Sequence, residues 1–185
     1  MAALVVAALV ACWVAFIAAF VRNHLRVRAS GNPSGPRLQL ASASDFGALL
    51  QFAGFVAVWV SPREPSQLLA AAFILAAAFV VLAWWAVAHL GRHYHVRAVI
   101  TEDHELVTTG PYALVRHPIY CALLGLTVAT ALGLARWESA VAAAVLSIVG
   151  TEIRVRAEDG LLADRFPGSF PAYRQKVHAY LPGVR

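Results

Sequence analysis

The sequence predicts an all-α protein, a polytopic membrane bundle of about five transmembrane helices with its charged residues gathered on the cytoplasmic side. Three observations predict it. Of the 185 residues, 60% are hydrophobic and only 14% charged, whereas a soluble domain sits nearer half apolar and a quarter charged. The apolar residues fall into runs suited to a hydrocarbon core about 30 Å thick, which takes roughly 20 helical residues to cross. The basic residues, finally, collect in alternate loops.

Ala2 to Val21 is apolar and carries no charge. A cleaved signal peptide would place basic residues before its apolar run; here the arginines follow it, so a permanent helix is expected. The second span runs from about Phe46 to Val60, started by Ser44 or Asp45 and stopped by Ser61-Pro62. Gln67 to Leu90 is the longest, and Trp84 and Trp85 near its end suit a membrane interface. Ile119 to Ala135 is the fourth. Arg136-Trp137-Glu138 turns the chain into a fifth run, Ser139 to Gly150, reaching Ile153 as its helix continues. The last two are short, so a tilted hairpin or a locally thinned bilayer is expected. Arg22 to Ala43 is Gly/Pro/Ser-rich without periodicity, which predicts a loop or a short surface helix.

Charge orients these spans. Arg22, Arg26, Arg28 and Arg37 follow the first; Arg92, Arg97 and Arg116 follow the third; Arg154, Arg156, Arg165, Arg174, Lys176 and Arg185 follow the fifth. Thirteen of the 15 basic residues thus share one side, against Arg63 and Arg136 on the other. Excess Lys and Arg marks cytoplasmic loops, so the N-terminus is expected outside and residues 91–120 and 152–182 inside. Lys176 is the sole lysine, and alanine and valine abound, a bias expected of a GC-rich bacterial genome and hence of a bacterial inner membrane. Cys12 and Cys121 lie in apolar runs without partners at metal-ligand spacing, which argues against a disulfide framework or zinc ribbon. The chain reads as one domain without repeats. Membrane lipids, and no nucleic acid, are the expected macromolecular surroundings.

The candidate chemistry begins with His104-Glu105-Leu106-Val107-Thr108-Thr109-Gly110-Pro111-Tyr112, followed by Arg116-His117-Pro118-Ile119-Tyr120. Gly110-Pro111 marks a turn. Pro118 suits the first turn of a helix, where its missing N–H would be unpaired anyway. Arg116 and His117 then sit at the N-terminus of the fourth span, where free amides and the positive dipole end favour a carboxylate or phosphate. The alternative is an interfacial anchor of snorkelling Arg and His with Tyr in the aromatic belt. Further on, Arg154 and Glu158 are four residues apart and share a helix face. Charge so near the bilayer is costly unless paired or functional, and a structural ion pair is the alternative there. His89 and His93 have i,i+4 metal spacing with His95 nearby, but no third ligand follows and no metal is expected.

With Leu90-Gly91-Arg92 upstream and Phe166 and Tyr173-Arg174 downstream, these segments resemble the isoprenylcysteine carboxyl methyltransferase family. That family, related to the phospholipid methyltransferases, comprises membrane-embedded enzymes using S-adenosylmethionine. The resemblance covers roughly residues 66 to 182; the N-terminal 65 residues carry no matching motif. It implies S-adenosylmethionine as cofactor, with His104, Leu106, Val107, Tyr112, His117, Pro118 and Tyr120 lining its pocket, Glu158 also holding it, and Arg154 positioning the acceptor. The family usually has two consecutive glutamates where this chain has Glu158-Asp159; Asp keeps the charge with shorter reach.

Methyl transfer from a sulfonium is an in-line displacement, so positioning two reactants is the main task. The amides and cations at Arg116-His117-Pro118 would hold the cofactor's methionine carboxylate, and Glu158 its amino or ribose groups. Arg154 would orient an anionic oxygen of a lipidic acceptor. Arg154 and Glu158 are accordingly the expected catalytic pair. A carboxylate acceptor needs no general base; a phenol, with a pKa of about 10 like that of Tyr, would need Glu158, Asp159 or a nearby His. The expected function is O-methylation of an isoprenylcysteine-type carboxylate or an alkylated phenol or pyrone. The alternatives are a phospholipid N- or small-thiol S-methyltransferase, which has less use for Arg154, a sterol-type membrane reductase, or a non-catalytic scaffold or transporter subunit. Transport would need buried mid-span polar residues lining a path, and the spans hold few: Gln51, Thr127, Thr130 and Ser147. No GxGxxG follows a strand, and no C-terminal CaaX marks the chain as its own lipidated target.

Overall fold

A computed structural model describes residues 2–31, 37–60, 68–96 and 98–180. The Ser61-Pro62 stop, Arg63, Gln67, Arg97 and Arg185, and the end of the expected 152–182 region, lie outside the described residues. Helix α1 (Ala2–Ala29) is followed by strand β1 (Arg37–Leu40), α2 (Ala43–Val60), α3 (Leu69–Leu90), strand β2 (Val99–Thr101), α4 (Pro118–Leu134), α5 (Trp137–Arg165) and α6 (Phe170–Lys176). Three of these, α1, α2 and α3, are long and apolar enough to cross a membrane, and α4 is a shorter apolar helix. At 17 residues, α4 rises about 26 Å, and Ala135 and Arg136 alone turn it into α5. The chain is thus an all-α membrane bundle. Its outward side chains suit lipid: Phe52, Ile74, Val81 and Ile148 are each more than half exposed.

Two features differ from the sequence expectation. The first helix does not stop at Val21; it continues through the arginines to Ala29, because cations in a last turn favour the negative end of the helix dipole. Gly31, at φ 65°, follows that end in the left-handed conformation helices commonly use to stop. The supposed loop beyond then supplies β1, which pairs antiparallel with β2 through Arg37↔Thr101, Gln39↔Ile100 and Leu40↔Val99. The Val99-Ile100-Thr101 run is β-branched and suits a strand, but three residues are too few to announce one. The fifth helix does continue past Gly150, as the sequence leads one to expect, and reaches Arg165 unbroken, carrying Arg154 and Glu158 on rigid backbone.

The helices meet in two ways. An apolar core of Leu9, Trp13, Phe16, Ala76, Ala83, Leu126 and Ala129 joins α1, α3 and α4. Trp84 locks α1 beside α3 by donating from Nε1 to the Ala15 carbonyl at 2.9 Å, and Arg22 lies 5.3 Å over its ring. The α2–α5 contact is made instead by small residues. Ser44, Gly47, Gln51, Gly54 and Val58 recur every three or four positions and form the buried face of α2, opposite Ala143, Ser147, Gly150 and Thr151 of α5. A Cβ on Gly150 would sit 2.5 Å from the Gly47 carbonyl, and one on Gly54 2.3 Å from Ser147 Oγ. Backbones this close gain their attraction from packing, which is how helices associate where lipid removes the hydrophobic drive.

Gly150→Val is expected to destabilise the protein by about 3 kcal/mol or more through overpacking. Gly160, with nothing within 4 Å of its would-be Cβ, is the control: Gly160→Ala should stabilise α5 by about 1 kcal/mol. Thermal unfolding in detergent reads both.

Candidate functional site

At the charged end of the bundle lies a cavity of about 250 Å³. All ten side chains expected from the sequence line it: His104, Leu106, Val107, Tyr112, Arg116, His117, Pro118, Tyr120, Arg154 and Glu158. Joining them are residues that local motifs did not indicate: Phe16 and Phe20 of α1, Gln51 of α2, Tyr94, and the β2 residues Val99 and Ile100. Phe16, Phe20 and Leu123 give the cavity an apolar wall, and Arg116, His117, Arg154 and Glu158 an ionic one.

Local sequence explains how the ionic wall is held. Gly110 adopts φ 59°, open to glycine, and a Cβ there would lie 2.3 Å from the His89 ring. That turn delivers Tyr112 into a buried position, where its backbone carbonyl accepts from the Tyr173 hydroxyl at 2.6 Å. Pro118 begins α4 with His117 as its N-cap residue. The amides of Arg116 and His117 are taken by the carbonyls of His178 and Ala179, at 2.8 and 3.1 Å. The C-terminal segment therefore folds back over the start of α4 and occupies the donors that the sequence had suggested for an anion.

Arg116 and His117 are both buried and both face Asp159. Arg116 Nη2 lies 3.0 Å from Asp159 Oδ2 and His117 Nε2 lies 2.9 Å from Oδ1. Arg116 also donates to the carbonyls of Arg174 and Val177. On its other side, His117 Nδ1 is 3.5 Å from Glu158 Oε2. Burial pulls the His117 pKa down, but the hydrogen bonds to Asp159 and Glu158 outweigh it and raise the value. Asp159 is the mirror case: burial would raise its pKa, and the bonds from His117 and Arg116 lower it. Both shifts favour the ionised pair. Asp159 thus secures two cavity residues, while Glu158, one residue earlier, faces the cavity itself.

Glu158 and Arg154 are bridged by one hydroxyl. Tyr120 donates to Glu158 Oε1 and accepts from Arg154 Nε at 2.9 Å, with the guanidinium 5.2 Å over the Tyr120 ring. Arg154 also donates to the Val96 carbonyl and, at 3.4 Å, to Gln51 Oε1. Gln51 in turn donates to Thr151 at 2.8 Å, so α2 helps to orient the cation. The only sequence signal for Gln51 was its polarity inside an apolar span.

Burial pushes the Tyr94 hydroxyl up to about 12 and the Tyr112 hydroxyl well above its ordinary range, so both are donors at neutral pH. His104 is pulled down to about 4 by burial and by neighbouring His93 and His95. Its ring meets that of His93 edge-on at 5.3 Å. His93 Nδ1, His104 Nδ1 and Arg116 Nε are buried without a hydrogen-bond partner in the protein, leaving three polar atoms around the cavity for a ligand to satisfy. His89 turns away, its Nδ1 2.9 Å from the Trp85 carbonyl. No group of three or more His, Cys, Asp or Glu among the described residues is placed to hold a metal.

Residues 69–164 match the model of the isoprenylcysteine carboxyl methyltransferase family. The cobalt-zinc-cadmium resistance protein CzcN of Cupriavidus metallidurans is 41% identical over 86 residues, 44% of this chain and 37% of that protein. A nickel-cobalt-cadmium resistance protein, NccN, of Alcaligenes xylosoxydans is 40% identical over 82 residues, covering 42% and 36%. A probable protein-S-isoprenylcysteine O-methyltransferase of rice, Oryza sativa, is 36% identical over 101 residues, covering 54% and 53%. The chain spans between about a third and about a half of the length of these curated relatives. The matched segment holds the whole ionic wall and excludes α1 and α2.

Asp159→Ala would leave Arg116 buried without its carboxylate, so a loss of about 3–5 kcal/mol is expected in thermal unfolding. His104 sets a pH dependence of its own. A folded-state pKa below the unfolded 6.5 means the unfolded chain binds more protons between about 6.5 and about 4, so stability falls as pH drops through that window. Unfolding temperatures measured across it should decline in the wild type and decline less in His104→Gln.

Proposed function

Because the chain belongs to the isoprenylcysteine carboxyl methyltransferase family, we propose that it transfers a methyl group from S-adenosylmethionine to an anionic oxygen of a lipidic acceptor. The observation that carries this reading is the placement of Arg154 and Glu158 on one face of α5, joined through the Tyr120 hydroxyl, in a cavity with one ionic and one apolar wall. A cation and a carboxylate so placed sort two ligands. Glu158 suits an ammonium or ribose hydroxyls, and Arg154 suits an oxyanion.

The residues present fit the cofactor. Its carboxylate, hydroxyls and ring nitrogens need partners, and the unpartnered atoms of His93, His104 and Arg116 surround the cavity. Leu106, Val107, Tyr112 and Pro118 add apolar surface for its base. When bound, S-adenosylmethionine supplies an electrophilic methyl on a sulfonium. The chain's own contribution is orientation. Arg154, fixed by Tyr120, Gln51 and Val96, holds the acceptor oxygen; the low-polarity wall excludes water and strengthens that contact. Tyr94 and Tyr112 keep their protons and His117 is engaged by Asp159. This set suits an acceptor that arrives already ionised, as a carboxylate does, as in the isoprenylcysteine acceptor in the name of the rice relative. The basic residues around the cavity are expected on the cytoplasmic face of a bacterial inner membrane.

Calorimetry in mild detergent is expected to show micromolar S-adenosylmethionine binding by the wild type, weakened at least tenfold in Glu158→Ala. Arg154→Ala should still bind the cofactor but lose about 100-fold or more in methyl transfer to an S-prenylated N-acetylcysteine. No cofactor binding by folded wild type with lipid supplied overturns the reading. Undiminished transfer to this probe by Arg154→Ala removes Arg154 from positioning the acceptor, and a wild type that binds the cofactor without methylating the probe points to a nitrogen or sulfur acceptor instead.

A further inference from the structure

The apolar wall of the cavity ends at an aromatic contact between α1 and α2. Phe16 and Gln51 line the cavity. One helical turn toward the opposite end of the bundle, Trp13 and Phe55 meet edge to face, centroids 4.6 Å apart and planes at 69°. Alongside them an open groove of about 390 Å³ runs over the same two helices, lined entirely by apolar and aromatic side chains including Val10, Ile17 and Trp59. Trp13 and Phe55 line that groove and not the cavity itself; they fill the gap between the two helices behind Phe16, whose ring lies 6.0 Å from the indole.

We propose that Trp13 and Phe55 close the apolar end of the catalytic cavity and so set the length of acceptor chain that the enzyme takes. This rests on the methyl-transfer reading above. An acceptor whose anionic group lies at Arg154 directs its chain along Phe16, Phe20 and Leu123, and the aromatic pair stops it. The stop is rigid. Trp13 Nε1 donates to Thr130 Oγ1 at 3.0 Å in a buried bond, and Thr130 donates to the Leu126 carbonyl at 2.7 Å. The indole also packs against Phe16, centroids 6.0 Å apart, and Phe55 against Trp59 at 6.2 Å. Both stop residues lie outside the family match, which begins at residue 69. Chain-length preference is therefore set by this chain's own first two helices. The ionic wall, by contrast, falls within the match.

The test uses the full-length protein in detergent and a series of N-acetyl-S-alkylcysteines with linear chains of increasing length. Only the binding lost in Arg154→Ala is counted, because chains lodged on the lipid-facing surface do not need that cation. In the wild type, affinity should climb about fourfold per methylene and then level off at the length where the chain reaches the aromatic pair. In Trp13→Ala, and independently in Phe55→Ala should the first fail to fold, the climb should continue for several further carbons. Affinity for the shortest probes should stay within about twofold of wild type. A plateau at the same length in folded variants overturns the proposal, as does the absence of any Arg154-dependent binding. Transfer of labelled methyl to the same probes is scored separately. Failure there with the plateau shift intact would overturn the methyltransferase reading and leave the aromatic stop standing.

Discussion

Asp159 is a buried carboxylate close to a membrane boundary, and the charged end of the protein is arranged to keep it paired. An unpaired charge in such a place costs several kcal/mol, so its two oxygens draw in Arg116 and His117 from the turn before α4. Arg116 then holds the carbonyls of Arg174 and Val177, and the adjoining amides hold residues 178 and 179. One carboxylate thereby joins the start of α4, the charged half of α5 and the C-terminal segment. Because neighbours on a helix point about 100° apart, turning Asp159 inward leaves Glu158 and Arg154 presented to the cavity. The same pairing secures His117 and presents Tyr120, the residue that bridges them.

The division between structural and functional charge follows. Asp159 is taken up by Arg116 and His117, and Arg116 spends its two terminal nitrogens on Asp159 and backbone. Glu158 and Arg154 keep capacity for ligands, being held through a hydroxyl, an amide oxygen and a carbonyl. The chain's departure from the paired glutamates of its family falls on Asp159, the inward member of the pair. There the shorter side chain still reaches both Arg116 and His117, at 3.0 and 2.9 Å.

The polar residues inside the spans serve the same end. Gln51 joins Thr151 and Arg154, Thr127 and Thr130 bond back to carbonyls of their own helix, and Thr130 also accepts from Trp13. Ser147 packs where Gly54 leaves room. These groups fasten helices to one another and hold Arg154, and they do not form a continuous polar file of the kind transport would need. Most of the fastening joins α1 and α2, which lie outside the family match, to α4 and α5 within it.

Much of this was legible in the sequence, because it depends on local properties. Hydropathy follows from residue type, so the long apolar helices were visible as runs. The Gly110-Pro111 turn and the Pro118 helix start are written in residues whose backbone options are few. The four-residue spacing of Arg154 and Glu158 guarantees a shared face on any helix. Contacts made across large sequence separations were not legible. Nothing near Gln51 indicates that it would meet Arg154, 103 positions away, and nothing near Trp13 indicates Thr130, 117 away. The β1–β2 ribbon was likewise too short to leave a pattern of its own. The sequence also left open how the two arginines of these motifs are held. Tertiary structure decided it, burying Arg116 against Asp159 and holding Arg154 through Tyr120, Gln51 and Val96, because those partners come from elsewhere in the chain.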